Sequence, residues 1–231
     1  RYYSSNQLDY LDTICIMKRI GFSLGEIKAH MKSYTIDDSI VALRKQLSII
    51  DRQIKELQMI KKRVENRCLQ MEHSVSIRDC SDIVSVEEVS SRYILLQEVA
   101  APYTLEMLSI ATKECFAGAF REQLPVFFQS GAIVPYERIL QGRYTEASFA
   151  FLPIEKADNI GGIVELPKGR SVFTYHIGDY HSIYRAYERI LEHCRINRLT
   201  IASDSYEFAI NDYLSTSKES EYITKIMFYI E

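Results

Sequence analysis

The chain has 231 residues, of which 47% are apolar and 26% are charged, and its formal net charge is -3 at pH 7. This composition excludes a disordered chain, and the lack of any run of about 18 consecutive apolar residues excludes a transmembrane helix. The five cysteines are scattered and form no Cys-x-x-Cys pair. We therefore expect neither a disulfide framework nor a zinc site, and a reducing cytoplasm fits best.

Charge is distributed unevenly along the chain. Residues 1–73 contain 13 Lys+Arg and 9 Asp+Glu, whereas the remainder contains 15 and 22. A basic front with an acidic back indicates that the front is the part that meets a polyanion. The chain begins at Arg1 with neither a methionine nor a signal-peptide pattern, and we interpret it as a fragment.

Two short helices are predicted at the start of the chain. The stretch SSNQLDYLDTICIMKRIG begins with the capping-box pair Ser4 and Gln7, and Gly21 ends the helix. A second helix begins at Ser23, which forms a capping box with Glu26, and runs to about residue 32. Two helices this short cannot bury a core alone, so a further packing partner is expected.

A third, long helix is predicted from about residue 36 to residue 73, a segment without glycine or proline. Its apolar residues recur at alternating intervals of four and three, the heptad spacing of a coiled coil, with Lys61 as the one charged intruder. Such a helix is roughly 55 Å long, and its exposed stripe predicts a homodimer. Packing of the helix on its own domain remains the alternative. The predicted dimerisation residues are Leu43, Leu47, Ile50, Ile54, Leu57 and Val64.

This order of elements resembles the MerR family of bacterial transcription regulators. Arg1, Tyr2 and Tyr3 match the end of the family's wing, and GFSLGEIK, residues 21–28, matches the start of its second following helix. The resemblance implies an antiparallel dimerising coiled coil and a recognition helix-turn-helix upstream of Arg1, missing from this chain. The first three residues would then contact DNA phosphates, which position a protein without reading the base sequence.

Residues 80–231 predict an α+β domain with an internal duplication. The first unit has the strands DIVSVEEV and SRYILLQEV, a helix that starts near Pro102, and the strands GAIVPYERIL and ASFAFLPIE. The second unit repeats this order with GGIVELP, RSVFTYHIG, the helix DYHSIYRAYERILEHCRIN, SYEFAIND and EYITKIMFYI. Two β-β-α-β-β units then share one sheet. We expect the helices to cover one face and the other face to line a cleft.

The strand SYEFAIND contains a lone carboxylate. Because side chains alternate along a strand, Glu207 shares a face with Ala209, whereas Tyr206, Phe208 and Ile210 share the other. Such a carboxylate either faces water or a salt-bridge partner, or lies in an apolar cleft where a cation would relieve the cost of burying it. The residues alone leave both interpretations open.

The second unit also resembles the GyrI-like effector-binding domain, in the residues LPKGR, GDYHSIYRAYERIL and the Tyr-Glu strand that ends in Asn-Asp. This domain is found in multidrug-sensing members of the MerR family, and the resemblance implies that Glu207 lies in a ligand pocket ringed by aromatic residues. Glu165 or Glu137 could share its role, and Lys225 could neutralise it in the empty pocket. The candidate pocket walls, each of which could instead be a core residue, are Tyr136, Phe149, Phe151, Tyr175, Tyr187, Tyr222 and Tyr229.

These patterns predict the remainder of a MerR-type DNA-binding domain at residues 1–35, a coiled-coil dimerisation helix at 36–75 and an effector domain at 76–231. The expected function is that of a cytoplasmic regulator, an activator, that binds promoter DNA as a dimer, engages RNA polymerase there and senses lipophilic cationic or aromatic compounds. No cofactor, metal or enzymatic activity is expected. The alternatives are a small-molecule hydrolase with a pocket glutamate as general base, a sequestering protein, and a metal or redox sensor using Cys68 and Cys80.

Overall fold

The structure is a computed structural model, and it describes residues 5–32, 35–77, 82–122, 124, 129–154 and 161–231. The chain divides into two compact units, Arg1–Val64 and Glu65–Glu231, each of which is described by itself. The predicted division at residues 35 and 75 stays a prediction. Within the described ranges, no helix combines the length and the apolar character needed to cross a membrane.

The first unit contains α1 (Ser5–Arg19), α2 (Leu24–Lys32) and the larger part of α3 (Ile36–Ile77). The predicted capping box of α2 is confirmed, because the Ser23 N–H donates to Glu26 Oε2 at 2.9 Å and Ser23 Oγ accepts from the Glu26 N–H at 3.2 Å. Thr35 caps α3 through the same pair of bonds with Asp38. The predicted cap at Ser4 lies outside the described residues. The small core of this unit consists of Met17, Phe22 and Ile27.

The heptad seam of α3 is exposed in the single chain. Leu47 is 59% exposed and Leu57 is 63% exposed, and only Ile50 among the predicted dimerisation residues is half-buried. On another side of the helix Gln46 is buried, and its amide donates to the Ile20 carbonyl at 2.8 Å. α3 therefore packs on the end of α1 through a residue outside the seam, which leaves the seam uncovered within this unit.

The second unit is an eight-stranded antiparallel sheet with two longer helices, and it also contains the last turns of α3. The duplicated β-β-α-β-β order is confirmed. In chain order the elements are β1 (Ser85–Val89), β2 (Arg92–Glu98), α4 (Leu105–Arg121), β3 (Gly131–Val134), α5 (Tyr136–Leu140), β4 (Phe149–Ile154), β5 (Ile163–Leu166), β6 (Gly169–Ile177), α6 (Tyr184–Asn197), β7 (Ser205–Asn211) and β8 (Ile223–Tyr229).

The strand order β1-β6-β8-β7-β3-β4-β2-β5 has a twofold pattern. β3 of the first repeat pairs with β7 of the second repeat at the centre of the sheet. The outermost strands are exchanged, since β1 pairs with β6 of the second repeat and β5 pairs with β2 of the first. This exchange, which the sequence did not predict, joins the repeats into one continuous sheet, so neither repeat can complete its own strand pairing alone.

The predicted strand GAIVPYERIL is wrong in its second half. β3 ends at Val134, and the short helix α5 follows Pro135. Proline has no N–H to donate to a strand ladder, and its fixed φ suits the start of a helix. The Tyr136 N–H donates to Asp204 Oδ1 at 2.9 Å, which ties the start of α5 to the loop before β7.

Both faces of the sheet are buried, but by different means. On one face α4 packs on β2 and β4, and α6 packs on β6; buried residues there include Ala132, Ile190 and Phe228. The opposite face carries Phe151 and Phe208, and the final residue of α3, Ile77, joins that cluster. The two helices therefore flank the central strands β3 and β7 rather than lie over them.

Candidate functional site

Glu207 is buried in the centre of the sheet. It lies on β7, where its cross-strand neighbours are Ala132 of β3 and Ile226 of β8, and it is only 2% exposed. As the alternation predicts, Phe208 lies on the opposite face, in the other core cluster. The interpretation in which Glu207 simply faces water is therefore wrong for this structure.

Two tyrosine hydroxyls contact the two oxygens of this carboxyl group. Tyr187, on the buried side of α6, donates to Glu207 Oε1, and Tyr180 donates to Oε2. The Tyr187 hydroxyl also lies 3.0 Å from Ser205 Oγ, whose proton it can accept. Hydrogen bonds from buried hydroxyls satisfy the carboxyl oxygens but supply no positive charge.

Tyr180 reaches Glu207 from a 3-10 turn, residues 180–182, just before α6. The Asp179 carboxylate caps this turn by accepting from the N–H groups of His181 at 2.8 Å and Ser182 at 3.2 Å. His176 Nε2 lies 2.8 Å from the Asp179 carbonyl oxygen and can donate to it. His176 is thus a buried residue that supports the turn, and burial lowers its pKa.

Burial raises the pKa of Glu207 from 4.5 to about 7, and the hydrogen bonds from Tyr180 and Tyr187 oppose that rise. Burial, together with the charge of Glu207, also raises the pKa of each tyrosine well above 10. The tyrosines therefore keep their protons at neutral pH, while Glu207 converts readily between carboxylic acid and carboxylate.

Lys225 does not neutralise Glu207 in this structure. It is the cross-strand partner of Phe208 and lies on the face opposite to Glu207. There it pairs with Glu87, and its ammonium lies 4.1 Å from the centre of the Phe173 ring. Lys225, which was predicted to neutralise Glu207, is thus paired with the carboxylate of Glu87 instead.

A cavity of about 310 Å³ opens beside Glu207, between α4 and the central strands. It lies on the helix-covered face, so the expectation of a cleft on the other face is wrong. The space exists because the helices flank the centre of the sheet and because two lining positions on this face, Ala132 and Ala209, have small side chains. Of the lining residues that the structure describes, none is Lys, Arg or His; they are Leu105, Leu108, Ser109, Thr112, Ser130, Gly131, Ala132, Gly178, Tyr180, Glu207, Ala209, Asn211, Asp212, Tyr213, Tyr222 and Thr224.

Gly131 allows the close approach of strands at the floor of this cavity. A Cβ atom at this position would collide with the ring of Phe151 and with the Glu207 carbonyl oxygen. Only glycine fits without a shift of the central strands, so Gly131 sets the spacing on which the position of Glu207 depends.

The structure brings together three of the nine predicted ligand-binding residues. Glu207 and Tyr222 line the cavity, and Tyr187 contacts Glu207 from α6. Four lie on the opposite face with the second core cluster, namely Phe149, Phe151, Tyr175 and Tyr229. Tyr136 packs edge-on against Phe228, and Glu165 is exposed on β5, where it accepts from the Tyr93 hydroxyl at 3.0 Å. The other carboxylate considered, Glu137, is exposed on α5.

Sequence reasoning missed Tyr180 and the cavity wall supplied by α4. One signal was available, because Tyr180 and Tyr187 are seven residues apart, a spacing that places two side chains on the same side of a helical segment. No comparable signal links α4 to Glu207.

The remaining predicted site residues cannot be placed here. Arg1, Tyr2 and Tyr3, expected at the DNA backbone, lie outside the described residues. So does Cys80 of the metal or redox alternative, whereas Cys68 is exposed on α3. The described part of the chain contains no group of three or more His, Cys, Asp or Glu residues that could hold a metal ion.

Comparison with known protein families gives two matches that fit this geometry. The family described as "MerR, DNA binding" matches residues 8–66. The family described as "GyrI-like small molecule binding domain" matches residues 84–231, more than half of the chain. The expectation that the helix-turn-helix lies upstream of this chain is therefore wrong in part, because the match to a DNA-binding family extends over residues 8–66.

Individual relatives match all or part of this chain. The multidrug-efflux transporter 2 regulator of Bacillus subtilis (strain 168) is 26% identical over 233 aligned residues, which cover 100% of this chain and 83% of the relative. A cryo-EM structure of an EcmrR–DNA complex in EcmrR-RPo has a TM-score of 0.55 at 16% identity and covers 100% of this chain and 85% of that one. The crystal structure of the EcmrR C-terminal domain has a TM-score of 0.55 at 15% identity, over 64% of this chain and 97% of that one.

These two structural likenesses support the fold. The cavity beside Glu207 lies within the segment that matches the small-molecule-binding family. The chain belongs to the GyrI-like small-molecule-binding family and carries a MerR DNA-binding segment in front of that domain.

Proposed function

We propose that this protein is a ligand-responsive bacterial transcription regulator, an activator, that binds a hydrophobic cation against Glu207. The observation that carries the proposal is a buried carboxyl group at a cavity without a basic side chain among its described lining residues. Ionising such a group without a positive partner is costly, and a bound cation would remove that cost. The cavity would therefore select for positive charge.

The walls of the cavity suit an organic cation. Leu105 and Leu108 provide apolar surface, and the Tyr180 and Tyr222 side chains add aromatic groups. Each aromatic face that contacts a cation contributes about 0.5 to 2 kcal/mol. A volume of about 310 Å³ lies at the lower end of ligand pockets, so the expected ligand is a compact aromatic or alkylated cation.

We extend this proposal to promoter DNA and RNA polymerase as partners, and to the cytoplasm as location. Support comes from the MerR DNA-binding match at residues 8–66 and from the relatives, one named as an efflux-transporter regulator and one described in complex with DNA. Arg1, Tyr2 and Tyr3 are proposed as contacts to the DNA backbone. The energy for distorting a promoter would come from protein–DNA contacts and from a difference in ligand affinity between two states.

A homodimer through an antiparallel coiled coil is part of the same proposal. The exposed apolar seam of α3 supports it, because Leu47 and Leu57 leave large apolar surfaces uncovered in the single chain. Replacing both leucines with glutamate should convert a dimer to a monomer in analytical ultracentrifugation. Replacing Arg52 and Lys55, which are exposed on the same helix outside the seam, with glutamine should leave the sedimentation coefficient unchanged.

We propose no catalytic activity. Several hydroxyl groups line the cavity, but the described lining residues include no histidine that could activate one as a nucleophile. Glu207 itself, with a pKa of about 7, could act as a general base in the alternative hydrolase. Recovery of an ester-containing cation unchanged after prolonged incubation, by mass spectrometry, separates a binding protein from a hydrolase.

The experiment that tests the function is calorimetric titration of the wild-type protein and Glu207→Gln. The probes are benzyltriethylammonium and its neutral carbon isostere. We expect Glu207→Gln to weaken cation binding tenfold or more, which is about 1.4 kcal/mol, and to leave the neutral probe little changed. Tyr144→Phe, a change beside Tyr187, is the control and should bind like the wild type. Equal cation binding by the wild type and Glu207→Gln would show that Glu207 is not the counter-ion.

A further inference from the structure

The last turns of α3 contact the strand that carries Glu207. Arg67 Nη1 donates to the Ile210 carbonyl at 2.9 Å, and its Nη2 donates to Ser215 Oγ. Ile210 lies on β7, and Ser215 lies in the loop that follows it. One guanidinium therefore bridges the end of β7 and the beginning of the next loop.

A second contact reinforces the first. Ser74, two turns further along α3, is 3% exposed, and its hydroxyl accepts from the side-chain amide of Asn211 at 2.8 Å. Ile77 completes the contact by packing in the core cluster that also contains Ile210. Two positions in the last turns of α3 thus bond to the end of β7, through residues more than 130 positions apart in sequence.

The segment contacted by α3 is also a wall of the cavity. Glu207, Ala209, Asn211, Asp212 and Tyr213 all line it. The register of β7 against β8 shifts between Ala209 and Asn211, a bulge of the kind that redirects side chains near binding sites. Residues 210–215 therefore contribute to the cavity wall and also contact α3.

One buried polar atom at the contact between α3 and the end of β7 lacks a hydrogen bond. Asn211 Oδ1 is buried without a hydrogen-bond partner among the described residues. An unpaired buried acceptor raises the free energy of the arrangement in which it lies, so a rearrangement that gave Asn211 Oδ1 a donor would recover part of that cost. A ligand that fills the cavity contacts this wall directly and can favour such a rearrangement.

We infer that Arg67 and Ser74 are the positioning residues through which occupancy of the cavity is transmitted to α3. The inference rests on the proposed function, since it requires a ligand in the cavity beside Glu207. Arg67 holds residues 210–215 against the helix. Movement of that cavity wall on ligand binding changes the stability of the last turns of α3. Those turns continue without interruption the helix that starts at Ile36.

The test is amide hydrogen exchange, read by mass spectrometry, on the full chain with and without saturating benzyltriethylammonium. In the wild type we expect the ligand to slow exchange in the cavity-wall peptide 205–216 and in the helix peptide 65–77. In Arg67→Gln the slowing at residues 205–211 should remain, and the slowing at residues 65–77 should fall by at least about threefold. Arg52→Gln removes the same charge from an exposed position of the same helix and should behave like the wild type.

A second, milder variant tests the same contact in case Arg67→Gln does not fold. Ser215→Ala removes the partner of Arg67 from the loop side and should reduce the helix response by about twofold or more. A helix response equal to that of the wild type in both variants overturns the inference, as does a wild type in which residues 205–211 respond and residues 65–77 do not. A wild type in which residues 205–211 do not respond overturns the proposed function itself, and this inference with it.

Discussion

Glu207 should make the folded protein less stable as pH rises, and Glu207→Gln should remove that part of the pH dependence. Burial raises the pKa of Glu207 to about 7, whereas the exposed group in the unfolded chain titrates near 4.5. Between these values the folded protein holds a proton that the unfolded chain has lost. The stability that Glu207 contributes is therefore fully present below the unfolded pKa and is lost as pH rises through the folded pKa.

The size of the effect follows from these two values. A pKa difference of one unit corresponds to about 1.4 kcal/mol, so complete ionisation of Glu207 costs about 3.5 kcal/mol relative to the unfolded chain. Between pH 5 and pH 8 the free energy of unfolding of the wild type should fall by about 2.5 kcal/mol more than that of Glu207→Gln.

Urea denaturation of the two proteins at pH 5, 6, 7 and 8, followed by circular dichroism, measures this difference. Other groups with shifted pKa values, such as His176 and Asp212, are present in both proteins and cancel in the comparison. A constant offset between the two proteins reflects the substitution itself and does not bear on the reasoning. Parallel curves, with the same pH dependence in both proteins, would refute a buried Glu207 with a raised pKa.

Three further predictions concern the same site. The affinity for benzyltriethylammonium, measured by calorimetry, should rise about tenfold between pH 6 and pH 8 in the wild type and stay constant in Glu207→Gln, because the ionised form binds the cation; a flat wild-type profile would contradict this. Tyr187→Phe should lower the free energy of unfolding by about 1–3 kcal/mol, and by more at pH 8 than at pH 5, because the Glu207 carboxylate loses a hydrogen-bond donor. Tyr144 stacks on Tyr187, so Tyr144→Phe is the control and should leave the stability nearly unchanged. Gly131→Ala should lower the free energy of unfolding by about 1–3 kcal/mol. Gly118→Ala is the control, because its Cβ would meet open space and should not lower the stability of the protein. Equal effects of the two substitutions would show that Gly131 is under no steric constraint.

Much of the local structure could be predicted because its signals are short in range. A capping box spans four residues, so Ser23 and Glu26 located the start of α2 before any tertiary contact was known. Alternation along β7 likewise placed Glu207 and Phe208 on opposite faces. The one misread element, GAIVPYERIL, failed where Pro135 turns a strand into a helix, and the apolar pattern alone did not reveal that change.

The candidate site was only partly predictable. Motif resemblance pointed to Glu207, and composition pointed to aromatic neighbours, but four of the seven proposed aromatic walls lie on the face opposite to the cavity. Alternation tells which residues share a face of one strand, not which face of the assembled sheet is open. That depends on where α4 and α6 pack, and these helices leave space over Ala132 and Ala209.

The sequence by itself determined the longer helices α1 to α4 and α6, the duplicated order of strands, the apolar seam of α3 and the lone carboxylate of β7, because each is set by periodicity or by neighbours a few residues apart. Only the tertiary structure decided that β1 and β5 exchange partners, that Tyr180 and Tyr187 converge on Glu207, and that Arg67 meets the end of β7. These contacts join distant parts of the chain, and they form because packing must satisfy buried polar groups wherever the fold brings them together.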